Sequence, residues 1–214
     1  MDRQKYIIFL LTLFGGYCDA GTFVLMGVFS SHITGNSVLA MVYMVEGNWI
    51  MSVYCSVSLS GFLSGTALGC LLQLYYQTDK KYLLIKLLLF LQTILVITGG
   101  ILWITGYCTW FIVLLALSMG LQNGVIMYLR NIKIHSTYIS GMSTTLLNSL
   151  LRKPPKKERI LRRILLIEIF CFITGALLGG ILTYHFSVTG IFLSLPLLLV
   201  AGIINYRNHC IIHT

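Results

Sequence analysis

Charge is what this sequence has least of. Only 10% of its 214 residues are Asp, Glu, Lys or Arg, against about 25% in an ordinary soluble domain. So few charges cannot build a water-facing surface, and the mean hydropathy of +0.87 points the same way. A soluble globular enzyme, a disordered chain and a secreted disulfide scaffold are excluded. Acidic groups are scarcer still, six against fifteen Lys and Arg. A basic balance implies nucleic acid only where the charge is displayed on a polar surface. None is left to display it, so no nucleic-acid partner is expected. The six cysteines (Cys18, Cys55, Cys70, Cys108, Cys171, Cys210) form no C-x-x-C pair and no zinc spacing, and read as small hydrophobes in packing. There is no H-E-x-x-H and no Walker motif, so neither a metal, nor a cofactor, nor direct ATP drive is expected.

What is present is apolar sequence in long runs. A spanning helix takes roughly 20 residues, so the chain has room for about six to eight passes. Six long segments read as spans: 6–28, 50–76, 83–105, 108–129, 164–185 and 189–207. Two shorter apolar pieces, 33–46 and 138–151, suit re-entrant or interfacial helices. The first span carries Asp19, lacks an A-x-A site and is followed by further spans, so it does not read as a cleaved signal peptide. With six crossings, Arg3 and Lys5, the Lys80–Lys86 cluster, the nine basic residues from Arg130 to Arg163, and Arg207 all fall on one side. Eight crossings would move Lys80, Lys81, Lys86, Arg130 and Lys133 across. The positive-inside rule therefore favours six spans with both termini cytoplasmic. Lys153–Arg163 is then expected to meet anionic lipid headgroups.

The chain also repeats itself. Phe62-Leu-Ser-Gly65-Thr-Ala-Leu-Gly69 recurs as Phe172-Ile-Thr-Gly175-Ala-Leu-Leu-Gly179, an offset of 110 positions. Ser31-His-Ile-Thr-Gly35-Asn-Ser37 matches Thr137-Tyr-Ile-Ser-Gly141-Met-Ser143 at 106, and Gly16-Tyr-Cys-Asp19 matches Gly120-Leu-Gln-Asn123 at 104. Three matches in one order define two units, 1–105 and 106–214, within a single membrane domain. Each holds three spans and one short helix. Because three is odd, the second unit enters the membrane from the opposite face, which makes an inverted-topology repeat, the plan of many secondary transporters. The expected fold class is all-α: six transmembrane helices, two short re-entrant or interfacial helices and two inverted three-span repeats.

At these motifs the sequence resembles the YoaK-like family of small bacterial integral membrane proteins of unknown function. The resemblance rests on Gly16-Tyr-Cys-Asp19-Ala20, Ser31-His-Ile-Thr-Gly35-Asn36, Ala116-Leu-Ser-Met-Gly120-Leu-Gln122-Asn123 and Thr137-Tyr-Ile-Ser-Gly141. Thr is usual in that family where Ser140 stands, and the central loop is here unusually Lys-rich. The resemblance covers nearly the whole chain and implies a multi-pass protein of the bacterial inner membrane. It supplies no substrate.

Asp19 is the first candidate site residue. An ionisable group within a span costs about 2.5–3.5 kcal/mol on the insertion scale and faces a cavity or the bundle interior. Asp19 reads either as a coupling or substrate contact or as a structural carboxyl bonded across helices; its match, Asn123, cannot titrate. His32, Thr34, Gly35 and Asn36 open the first short helix, and Ser140 and Gly141 the second. Half-helices starting inside the membrane would point free N–H groups at a polar substrate from two sides, or they are interfacial helices with ordinary caps. Gln122 and Asn123 either join that site or bond between helices. Gly61, Gly65, Gly69, Gly175 and Gly179 form small-x-x-x-small ridges for close helix packing. Glu168 shares the face of Gly175 and Gly179, but Arg162 and Arg163 nearby suggest an interfacial ion pair. Ser143 and His185 superficially suggest a nucleophile and base, yet the topology puts them on opposite faces, so no enzyme is expected.

The sequence thus points to a secondary transporter or uniporter for an unknown small molecule, with a channel-like pore or a non-transporting scaffold as alternatives; homo-oligomerisation stays open. Reporter fusions after residues 47 and 80 test the topology. Six spans put 47 outside and 80 inside, whereas eight reverse both.

Overall fold

The computed structural model describes residues 4–76, 81–125, 127–129, 132–134, 139–151 and 156–212. Its helices are α1 (Gln4–Met26), α2 (Ile33–Val45), α3 (Trp49–Tyr76), α4 (Lys81–Ile104), α5 (Cys108–Gly124), α6 (Ile139–Leu151), α7 (Lys156–Phe186), α8 (Val188–Phe192) and α9 (Leu195–Ile212). Five stretches are long and apolar enough to cross a membrane: α1, α3, α4, Arg159–Phe186 of α7, and Val188–Asn208. The chain is a multi-pass membrane protein. Its outward side chains, such as Leu74, Phe90, Phe170 and Leu177, are large and apolar, as a lipid-facing surface requires. α1 is the central helix, with 67% of its span buried against 28–39% of the other four.

Three boundaries depart from the hydropathy reading. The segment 108–129 is helical only to Gly124, after which Met127–Leu129 (β1) and Ile132–Ile134 (β2) pair antiparallel, Met127 opposite Ile134. The expected all-α fold therefore carries one short hairpin. α7 starts at Lys156, eight residues before the apolar run, because Lys, Arg and Glu are good helix formers that hydropathy cannot see. The last segment is broken: Ser187, at φ 53°, leads into the single-turn helix α8, and the helix lapses again at Leu193 and Ser194. α9 restarts with Pro196 in its first turn, where its missing N–H costs nothing.

The bundle is organised by two seams. In the first, Gly175 and Gly179 of α7 lie against the carbonyls of Leu13 and Tyr17 of α1. In the second, Gly61, Gly65 and Gly69 of α3 lie against the carbonyls of Val113, Leu117 and Leu121 of α5. Each step of four on one helix meets a step of four on the other in the same direction, so both pairs run parallel. The contacts are reciprocal. Gly16 of α1 receives the carbonyl of Phe172, and Gly120 and Gly124 of α5 receive those of Phe62 and Thr66. A Cβ at any of these glycines would overlap backbone, which cannot swing aside as a side chain can. Lipid is as apolar as a leucine side chain, so close van der Waals packing of this kind is what holds membrane helices together.

The remaining elements attach to this frame. α2 packs on α3, α6 on α7, and α4 and α9 on each other and on α5 and α1. Buried amides cross-link them: Gln92 of α4 donates to Gln122 of α5 (2.8 Å), which donates to the carbonyl of Leu11 of α1 (2.9 Å). The hydroxyl of Tyr17 donates to the carbonyl of Gly190 at 2.5 Å, pinning α8 to α1. Cys18 and Cys55 are buried, and Cys18, Cys55, Cys70, Cys108 and Cys171 are free thiols; the side chain of Cys210 lies outside those described.

Gly65→Ala should lower thermal stability in detergent by about 1–3 kcal/mol through overpacking. Gly202→Ala, where nothing lies within 4 Å of the added carbon, should leave the melting temperature unchanged.

Candidate functional site

The site is built where non-helical backbone enters the bundle. α1 ends at Gly27, whose φ of +67° reverses the chain. Val28 to Ser31 then run back along α1, the ring of Phe29 stacking on Phe23 at 4.5 Å, until Ser31 reaches Asp19. Asp19 lies seven residues before the helix end, about 10 Å along the axis. Val28, Ser30 and Ser31 are buried, so protein groups must satisfy this backbone in place of water.

Three helices supply those groups. From α1, Asp19 accepts hydrogen bonds at Oδ1 from the Ser31 N–H (2.6 Å) and the Ser30 hydroxyl (3.0 Å), and at Oδ2 from the Ser31 hydroxyl (2.7 Å). From α2, Asn36 accepts the Phe29 N–H at Oδ1 (3.0 Å) and donates through Nδ2 to the Phe29 carbonyl (2.7 Å) and Ser58 Oγ (3.1 Å). From α3, Ser58 donates to the same carbonyl at 2.7 Å. The amide of Asn36 thus imitates a neighbouring β-strand for Phe29. Ser52 completes the hairpin of α2 and α3 by donating to the carbonyl of Ala40 at 2.9 Å.

Beyond this strip opens a cavity of about 740 Å³ lined by Asp19, Ser31, His32, Ile33, Thr34, Phe62, Asn123, Ile139, Ser140 and Phe172. The starts of α2 and α6 both reach it. Its wall is mixed: aromatic faces from Phe62 and Phe172, small hydroxyls from Ser31, Thr34 and Ser140, and an amide from Asn123. Such a lining suits a small molecule with an apolar body and a polar end.

A family model described as "Protein of unknown function (DUF1275)" matches residues 7–204. The chain belongs to that family. Neither a curated protein nor a solved structure matches it.

Within this DUF1275 fold, the residues singled out from sequence divide. Asp19, His32, Thr34, Asn123 and Ser140 share the cavity wall. Asn36 is turned to Phe29 and Ser58, and Gln122 to Gln92 and Leu11. Gly35 backs onto the rings of His32 and Phe29, and the Gly141 carbonyl accepts from Thr145. Thr137 and Tyr138, before the second short helix, lie outside the described residues. The ion pair expected of Glu168 is corrected: its side chain is fully buried and neither oxygen has a hydrogen-bond partner among the described residues. Arg162 instead donates to Ser149 of α6 at 3.2 Å. Sequence reasoning did not assign Phe62, Phe172 or Ser58 to the site. The two phenylalanines open the matched motifs, and that was the available signal; Ser58 carried none, being one of many serines in α3. Among the described residues, no group of three or more His, Cys, Asp or Glu could hold a metal.

Asp19→Ala leaves three donors without an acceptor and should destabilise the protein by on the order of 3 kcal/mol in thermal unfolding. Asp19→Asn keeps one oxygen for Ser30 and Ser31 and offers an N–H to the Ser31 hydroxyl, so its loss should be clearly smaller. Equal losses would mean that holding the strip is not what Asp19 does.

Proposed function

We propose that this protein is a secondary transporter or uniporter for a small molecule, working by alternating access. The supporting observation is the composition of the cavity wall. Asp19, Ile33, Thr34 and Phe62 stand at positions matched in the sequence repeat by Asn123, Ile139, Ser140 and Phe172, and all eight line the cavity. A binding site shared by two matched halves can be opened to either side by rocking one half against the other. The helix contacts support the same reading. α1 against α7 and α3 against α5 are the counterparts of each other under exchange of the halves, and so are their glycine contacts.

On this reading the halves are inverted repeats, 1–105 and 106–214, each with three spans and a re-entrant short helix. α5, at 17 residues, serves as the sixth span. The return of Ser31 to the depth of Asp19 supports the re-entrant form for α2. Both termini are cytoplasmic, the membrane is the bacterial inner membrane that the YoaK-like resemblance implies, and the basic start of α7 contacts anionic lipid. The protein is not an enzyme. Ser143 belongs to α6, whose Met142 and Leu146 pack near Leu161–Ile169 of α7, and His185 lies 16 residues beyond Ile169, about 24 Å along the helix.

A thermal-shift ligand screen in detergent, followed by uptake of each hit into proteoliposomes, tests this. Saturable uptake is expected, abolished by Thr34→Trp or Ser140→Trp, which fill the cavity without touching the glycine seams. Non-saturating flux with single-channel currents would replace the transporter by a pore. No flux of any bound compound would leave a scaffold.

A further inference from the structure

The two halves meet the cavity with different polar chemistry. In the first, Asp19, Asn36 and Ser58 form the network that holds Phe29 to Ser31. Their matched positions in the second half are Asn123, Met142 and Glu168. At the place of Ser58 the second half therefore carries a carboxyl, and at the place of Asn36 an apolar side chain.

Glu168 is 0% exposed, and both its oxygens lack a hydrogen-bond partner among the described residues. It lies on the inward side of α7, between lipid-facing Ile167 and Phe170. Its neighbours one turn away are Ile164, Leu165, Cys171 and Phe172, and α6 presents Met142 and Leu146 beside Leu165. An ionised carboxylate left without donors in such surroundings is far costlier than a neutral acid. A metal cation is no remedy, since hard cations need several ligands and no group of three or more His, Cys, Asp or Glu that could hold one occurs among the described residues. A proton needs only the carboxyl itself. The way out is short: Phe172, one turn on, is part of the cavity wall. Asp19, by contrast, already has three donors on its two oxygens.

We propose that Glu168 is a proton-binding site within the membrane, exchanging its proton with the central cavity past the ring of Phe172. The charged and titratable groups around it are few. α6 and α8 contribute none. The α1–α7 register, with Gly175 on Leu13 and Gly16 on Phe172, brings Tyr6 to Thr12 of α1 to this level, with Lys5 next to them and over the Tyr6 ring at 5.0 Å; Tyr17, Cys18 and Asp19 stand about two to three turns further on. α7 itself adds Cys171, Arg163 and Arg162, the last of which donates to Ser149. Lys133 and His135 fall outside the described side chains. In a transporter this site makes the proton the coupling ion; that use rests on the function proposed above, while the existence of the site does not.

Infrared spectroscopy of the full chain in liposomes tests the site without knowledge of a substrate. Glutamate occurs only at 46, 158 and 168, so carbonyl-labelled glutamate separates this carboxyl from Asp19 without any mutation. A carboxylic-acid C=O band is expected that shifts with the glutamate label, fades as pH is raised, persists in Asp19→Asn and is lost in Glu168→Gln. Its hydrogen–deuterium exchange should quicken several-fold in Phe172→Ala. A glutamate-labelled sample with no such band, or a band that Glu168→Gln retains, overturns the proton site. An exchange rate unmoved by Phe172→Ala overturns the route. An intact band in a protein that transports nothing removes the transporter and keeps the site. Substrate uptake without the band does the reverse.

Discussion

Backbone pressed on glycine is the contact on which the rest of this structure depends. A carbonyl of α1 can lie on α7, and one of α5 on α3, only because Gly175, Gly179, Gly65 and Gly69 have no Cβ. That closeness fixes more than distance. A four-residue step on both helices allows one register, and the register makes both pairs parallel. Two parallel pairs leave their shared interior open at the level of Asp19 and Asn123, and the cavity occupies that space. The two phenylalanines of its wall begin the glycine motifs themselves, so the packing that closes the bundle also sets the cavity's floor.

The second constraint is the hydrogen-bonding debt of non-helical backbone buried inside the bundle. Residues 28–31 have no helix to satisfy them, and Asp19, Asn36 and Ser58 do so from three helices. This changes the meaning of the most conspicuous residue in the sequence. A lone acid in a span invites a reading as a transported-ion ligand, but its oxygens hold the entry to α2. The matched positions in the second half are Met142 of α6 and Glu168 of α7, so the two halves differ in side-chain chemistry at this point.

Much of the fold was legible. The boundaries of α1, α2, α3, α4 and α6 follow from apolar run length, because lipid imposes one length scale on every crossing helix. The glycine ridges were legible too, since a period of four on one face has few uses in a membrane other than close packing. The failures have physical causes. The early start of α7 was hidden because a charged helix has no hydropathy signal. The break between α8 and α9, inside the segment 189–207, was hidden because it goes with α8 folding back onto Leu182 and Thr183, a tertiary contact. Glu168 was assigned to Arg162 and Arg163 by proximity in sequence, yet six and five residues along a helix are not on one face, and burial decided otherwise.

By itself the sequence determined the solvent and the glycine faces on which the long helices pack, because each follows from composition or from a period along one chain. Only the tertiary structure decided which polar side chains are spent and which are spare. Asp19 and Glu168 are both lone acids in apolar stretches, alike in sequence. One meets three donors and the other none among the described residues. That difference comes from the direction in which the chain turns after Gly27, and hydrogen bonding is settled by neighbours in space.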